Sequence, residues 1–182
     1  MAKQMRKNAI RIVMFGVIMA LVVLLSTAIS YGAVIGVVTP INPVIIDYSS
    51  SFPDANFRSF IKSNYDTNKD NIVSSTELRA VTEIYCPEAG ICNLEGIKYF
   101  TNLKTLNCQY NDLTSLPTLP SGLEYLNCHN NKLSRLPSLP SGLETLRCYS
   151  NELTSLPQLP SGLKDLDCYS NEITSLPTLP SG

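Results

Sequence analysis

From Leu103 to Gly182 the sequence repeats itself every 20 residues. Leu106, Leu126, Leu146 and Leu166 keep that interval; so do Cys108, Cys128, Cys148 and Cys168, and Asn111, Asn131, Asn151 and Asn171. Four copies of L-x-x-L-x-C-x-x-N-x-[LI]-[TS]-x-L-P-x-L-P-S-G run in phase. A unit this short cannot bury its own apolar face and must stack on its neighbours, so the pattern specifies a solenoid. Residues 81–102 extend it, because Val81, Ile84 and Cys86 match Leu103, Leu106 and Cys108 at an offset of 22.

Within each unit the stretch L-x-C predicts a short strand whose side chains alternate between two faces. Leu106 and Cys108 then point into the solenoid, while Thr105, Asn107 and Gln109 line its concave side. Cysteine is small and apolar enough for a tightly stacked interior. Neighbouring strands lie ~4.8 Å apart, but parallel strands in register aim their Cβ atoms the same way, which holds them beyond the ~3.8 Å a disulfide prefers. The ladder therefore reads as reduced packing residues, with bridging the alternative. Cys92 stands outside it, and Cys86–Cys92 is the one pair separated by a loop and remains open as a bridge. Zinc fits neither C-x5-C nor a 20-residue interval. Each asparagine is placed to satisfy backbone groups left inside the turn, and to serve the next repeat as well. The L-P-x-L-P segments predict an extended, polyproline-like back face, with Ser-Gly turning into the next strand.

The first 32 residues differ from this body. Lys3, Arg6, Lys7 and Arg11 precede an uncharged apolar run of 18 residues, Ile12 to Ile29. That pattern predicts a signal peptide, or an uncleaved anchor that would be the chain's only membrane contact. Residues 33–51 read as a linker. Without the four leading basic residues, 10 basic and 15 acidic residues remain, a net charge of −5. Such a body lacks the basic stripe of a nucleic-acid binder. The final LPTLPSG matches segments that elsewhere lead into another strand, so the solenoid of residues 81–182 is expected to be truncated at its C-terminus.

Residues 52–80 predict a small helical cap. Phe57, Phe60 and Ile61 recur at helical spacing behind Pro53-Asp54, and a second helical stretch carries Leu78. Between them Asp66, Asn68, Asp70, Ser74 and Glu77 take positions 1, 3, 5, 9 and 12 of a Ca²⁺ loop, with the Ile72 carbonyl at position 7. Asn71 replaces the usual glycine and is the next residue best suited to φ > 0.

The stretches FPDANFRSFI, DTNKDNIVSSTELRAVTEI and GIKYFTNLKTLNC (residues 52–113) resemble the N-terminal part of exported leucine-rich-repeat proteins of anaerobic Gram-positive bacteria. There a single EF-hand-like segment precedes an internalin-like first repeat. The L-P-x-L-P-S-G-L unit resembles the 20-residue repeats of bacterial type III effectors, some of which carry ubiquitin-ligase tails; an exported N-terminus does not suit such an effector, and ubiquitin chemistry is not expected here. The resemblance implies an α/β repeat fold: a leucine-rich-repeat solenoid with short parallel strands on the concave face, a polyproline-like back and a small EF-hand-like cap.

Stacking the outward positions gives three columns on the concave face: Thr105, Tyr125, Thr145, Asp165; Asn107, Asn127, Arg147, Asp167; and Gln109, His129, Tyr149, Tyr169. Aromatic and Arg side chains are the usual anchors of interfaces. Tyr125, Asn127, His129, Thr145, Arg147, Tyr149, Asp165, Asp167 and Tyr169 are therefore candidate contacts for a protein ligand, or for a glycan. A scaffold with no ligand of its own is the alternative. An enzyme is not expected: His129 has no exposed nucleophile beside it, and Asp165 and Asp167 lie on an open strand without the burial that separates two carboxyl pKa values.

Overall fold

The structure, a computed structural model, describes residues 47–180. The expected signal or anchor at 1–32 and the linker up to residue 46 lie outside the described residues. Among the described residues no helix is long and apolar enough to cross a membrane.

Five three-residue strands form one parallel sheet in chain order: β1 Glu83–Tyr85, β2 Thr105–Asn107, β3 Tyr125–Asn127, β4 Thr145–Arg147 and β5 Asp165–Asp167. Their register is the one the repeat dictates, with Ile84, Leu106, Leu126, Leu146 and Leu166 side by side. Leu103, Leu106, Cys108, Leu123, Leu126, Cys128, Leu143, Leu146 and Cys148 are fully buried behind it. All six cysteines are free thiols, so Cys86 and Cys92 are not bridged. Burial raises the Cys86 and Cys148 thiols to about 12 and pushes Cys108 and Cys128 well above 9. Cys168, on the last strand, is only partly buried.

After each strand the chain turns through a residue in the left-handed region: Glu88 (φ 51°), Tyr110 (54°), Asn130 (53°), Ser150 (54°) and Ser170 (51°). None is glycine. The residue that follows in the four regular repeats is the invariant asparagine, and its side chain clasps two turns together. Asn151 accepts from the Leu133 N–H at 3.0 Å and donates to the carbonyls of Cys128, Cys148 and Tyr149 at 3.1, 3.1 and 3.3 Å. The partner turn is the preceding repeat, not the following one as the sequence suggested.

The N-terminal side is closed by α1 (Tyr48–Ser51), α2 (Ala55–Tyr65) and α3 (Ser75–Ala80). The linker expected to reach residue 51 thus stops short of α1: Asp47 caps that helix, and the Tyr48 hydroxyl donates to the Arg58 carbonyl at 3.0 Å. Phe52, Phe57, Ile61, Leu78 and Phe100 are fully buried with the first repeat. Asp54 joins cap to solenoid: one carboxylate oxygen accepts from Phe57 N–H at the start of α2, the other from the Cys92 and Asn93 N–H groups. Gly96 (φ 98°) lies against the Phe52 ring, where an added Cβ would fall 2.2 Å from Cδ1, so only glycine fits.

Candidate binding surface on the concave sheet

The strands carry three rows of outward side chains, and the row at their C-terminal ends builds the most ordered feature. His129 and Tyr149 stack with ring centroids 4.1 Å apart and planes 13° from parallel; Tyr149 and Tyr169 stack at 4.5 Å and 8°. Tyr110 meets the His129 ring edge-on at 5.0 Å and 83°. Parallel strands in register supply the ring-to-ring spacing, since the strand separation of ~4.8 Å is close to a stacking distance. Both faces of Tyr149 are thereby used within the stack, which leaves ring edges and phenol hydroxyls for a ligand. Partial desolvation, then neighbouring Tyr169 and Tyr110, raise the Tyr149 phenol above 10, so it stays uncharged near neutral pH.

The two other rows converge on Arg147. Its Nη2 lies 3.4 Å from Asp165 Oδ2, its Nε 3.7 Å from Asp167 Oδ2, and its guanidinium 6.0 Å from the centre of the Tyr125 ring. Thr145 sits between Tyr125 and Asp165 in register.

Two expected contact residues are nearly inaccessible. Asn127 is 4% exposed and His129 5%. The Asn127 side chain donates to Gln109 Oε1 at 2.8 Å and accepts from His129 N–H at 3.4 Å, while His129 Nδ1 lies 2.9 Å from Asn130 Oδ1. Their side chains pack within the face and hold its neighbours. Tyr125, Thr145, Arg147, Tyr149, Asp165 and Asp167 are half-buried, and Tyr169 is 60% exposed. Tyr110 (47%) and Tyr85 (64%) also reach this face and were missed. Tyr85 was legible as the β1 member of the Asn107 row; Tyr110 was not, because it leaves the left-handed turn beyond the strand.

Residues 101–141 match the family model of two consecutive leucine-rich repeats. The solenoid is similar to those of leucine-rich-repeat proteins. Over 69 residues the chain is 31% identical to Internalin J of Listeria monocytogenes, covering 38% of this chain and 8% of that protein. The solved functional domain of InlJ from Listeria monocytogenes, which includes a cysteine ladder, superposes with a TM-score of 0.62 at 30% identity, over 70% of this chain and 29% of that one. A Shigella effector leucine-rich-repeat domain gives 0.57 at 35%, over 68% and 52%. YopM from Yersinia enterocolitica gives 0.50 at 28%, over 68% and 29%. The chain thus spans about half or less of each of these relatives. The repeats of this chain also carry a cysteine ladder, from Cys86 to Cys168, and its thiols are free.

The loop between α2 and α3 holds the expected calcium ligands. Lys69 (φ 57°) and Asn71 (71°) adopt left-handed conformations that bend it sharply, so Asn71 does supply the turn in place of glycine. Asp66 Oδ2 accepts from Asn71 N–H at 3.0 Å, while Asp66 Oδ1 is buried without a partner. Asn68 Oδ1 and Asp70 Oδ1 accept from the Asp70 and Ile72 N–H groups. Glu77 closes the loop: Oε1 accepts from Thr67 N–H (2.9 Å) and Oγ1 (2.8 Å), and Oε2 from Ser74 N–H and Oγ, both 2.8 Å. Partial desolvation raises the Glu77 carboxyl, but these bonds from Ser74 and Thr67 outweigh it and hold it at about 2. The ligands fit calcium in kind, as hard oxygen donors with one orphaned carboxylate oxygen. They are not gathered around a point: among the described residues no three His, Cys, Asp or Glu side chains are grouped to hold a metal ion. A cation would have to draw Glu77 off its present donors.

Proposed function

We propose that this chain is a protein-binding module that meets its ligand with the concave sheet face, and that it works outside the cell. The observation that carries the first part is the rail of Tyr110, His129, Tyr149 and Tyr169, whose members hold one another in place before any ligand arrives. Rigid aromatic side chains lose little entropy on binding, and this favours them as interface anchors. The basic and apolar leader supports export. The test is a pull-down with the full chain beside Tyr149→Ala/Tyr169→Ala at matched melting temperature. Loss of the captured partner is expected; unchanged capture would leave a scaffold without its own concave ligand.

Calcium stabilisation of the cap is a second reading, favoured by the buried, unpartnered Asp66 Oδ1. Asp66, Asn68, Asp70, the Ile72 carbonyl, Ser74 and Glu77 would hold the ion. Calcium at a hundredfold excess over its dissociation constant adds about 2.7 kcal/mol by linkage, so the melting temperature should rise, and Asp66→Ala should remove the rise. Melting indifferent to both calcium and EDTA would eliminate this reading.

A further inference from the structure

We infer that the concave face takes a basic segment of its protein partner, with an arginine or lysine of that segment seated against Asp165 and Asp167. This rests on the concave face being the binding surface, and adds the chemistry of what binds. The outward strand positions, from Glu83 and Tyr85 on β1 to Asp165 and Asp167 on β5, contain three carboxylates and a single cation, Arg147, for a net charge of −2. Both aspartates are on the same strand, and each is close to half-exposed at its side chain.

Arg147 already demonstrates the recognition. Its guanidinium is held between the Tyr125 ring and two carboxylates, an arrangement that would accept a ligand guanidinium equally well. It does not saturate the site. Its separations of 3.4 and 3.7 Å exceed the ~2.7–2.9 Å of a charge-assisted hydrogen bond, and its Nε is buried with no hydrogen-bond partner. Two carboxylates therefore share one loosely held cation, and a second positive charge lowers the energy of the group. The Tyr149 ring beside them cannot take that role, because both its faces are used in stacking. An acidic ligand would meet Asp165 and Asp167 unfavourably.

The test pans a random twelve-residue peptide library on phage against the full chain and keeps the clones whose binding is lost in Tyr149→Ala/Tyr169→Ala. The retained peptides should carry more Lys and Arg than Asp and Glu. Asp165→Asn/Asp167→Asn should weaken them at least tenfold, and Glu152→Gln/Glu172→Gln, an equal charge change on the outer turns, less than twofold. Arg147→Gln should act in the opposite direction and strengthen binding about threefold or more by freeing both carboxylates, so the result does not depend on one variant folding. Retained peptides that are neutral or acidic, or equal losses in both carboxylate pairs, or weaker binding in Arg147→Gln, would overturn the inference while the concave face remained the binding surface. If no retained clone exists, both readings fall.

Discussion

Asn131 Nδ2 lies 3.0 Å from the carbonyl oxygen of Cys108, one full repeat behind it in the chain. The same amide reaches Cys128 O at 3.0 Å and His129 O at 3.3 Å, and its oxygen accepts from Leu113 N–H at 3.1 Å. Asn131→Ala removes four hydrogen bonds at once and leaves the Leu113 N–H unpaired, while the Cys108, Cys128 and His129 carbonyls keep the donors of Asn111, Asn151 and Tyr110. With about 1–3 kcal/mol for the one buried donor left unpaired and about 0.5–1.5 kcal/mol for a hydrogen bond lost from a group that keeps another, the loss is expected at about 2–4 kcal/mol. Lys132→Ala, which removes only the exposed pair with Asp112, should cost less than about 0.5 kcal/mol. Urea denaturation of the two variants checks both; a loss for Asn131→Ala under 1 kcal/mol would contradict the clasp.

Ser150 occupies the left-handed turn position that Asn130 fills one repeat earlier. A non-glycine residue is strained there, and asparagine tolerates the region better than serine. Ser150→Asn should stabilise the protein by up to about 1 kcal/mol, and Ser150→Val should destabilise it by at least as much. Thermal melts that rank Val above Asn would show that the turn does not control this position.

The thiols should divide sharply by position. Cys92 is exposed, whereas Cys86, Cys108, Cys128 and Cys148 are buried with their thiols pushed up by desolvation. At pH 8 a disulfide reagent should titrate one thiol quickly, Cys168 more slowly, and all six only after denaturation. Fast reaction of any of those four buried thiols would mean that the stack opens readily.

Glu77 gives the cap a pH signature. Its carboxyl is held at about 2 in the fold against an ordinary 4.5. Its folded value is the lower one, so the stabilisation is complete above about 4.5 and is lost as the pH falls towards 2. Glu77→Gln should therefore melt lower than the natural chain at pH 7, with the gap closing between pH 4.5 and 2. A gap independent of pH would show that the carboxylate charge is not what holds Thr67 and Ser74.

The repeat made the sheet legible residue by residue, because one interval fixes the register of Ile84, Leu106, Leu126, Leu146 and Leu166. It did not reveal how the concave side chains crowd one another. Alternation assigns Asn127 and His129 to the outside, but neighbours a strand spacing away cover them: Gln109 on one, Tyr110 and Tyr149 on the other. Tyr110 escaped notice for a related reason, since a period-two rule ends with the strand and says nothing of a left-handed turn. The helix at Tyr48–Ser51 was invisible because four residues carry no periodicity; Asp47 and the contact with Arg58 hold it instead.

The first interval in the sheet is 22 residues and the later ones are 20, yet Tyr85 pairs with Asn107 as regularly as Asn107 does with Asn127. The difference is taken up on the convex side, where a 3-10 turn at Ile97–Tyr99 precedes β2 in place of a Leu-Pro segment. Evolution can therefore duplicate, delete or lengthen whole units of this protein with the change confined to its outer rim. The binding surface would grow or shrink by one strand, and every surviving residue would keep its former neighbours.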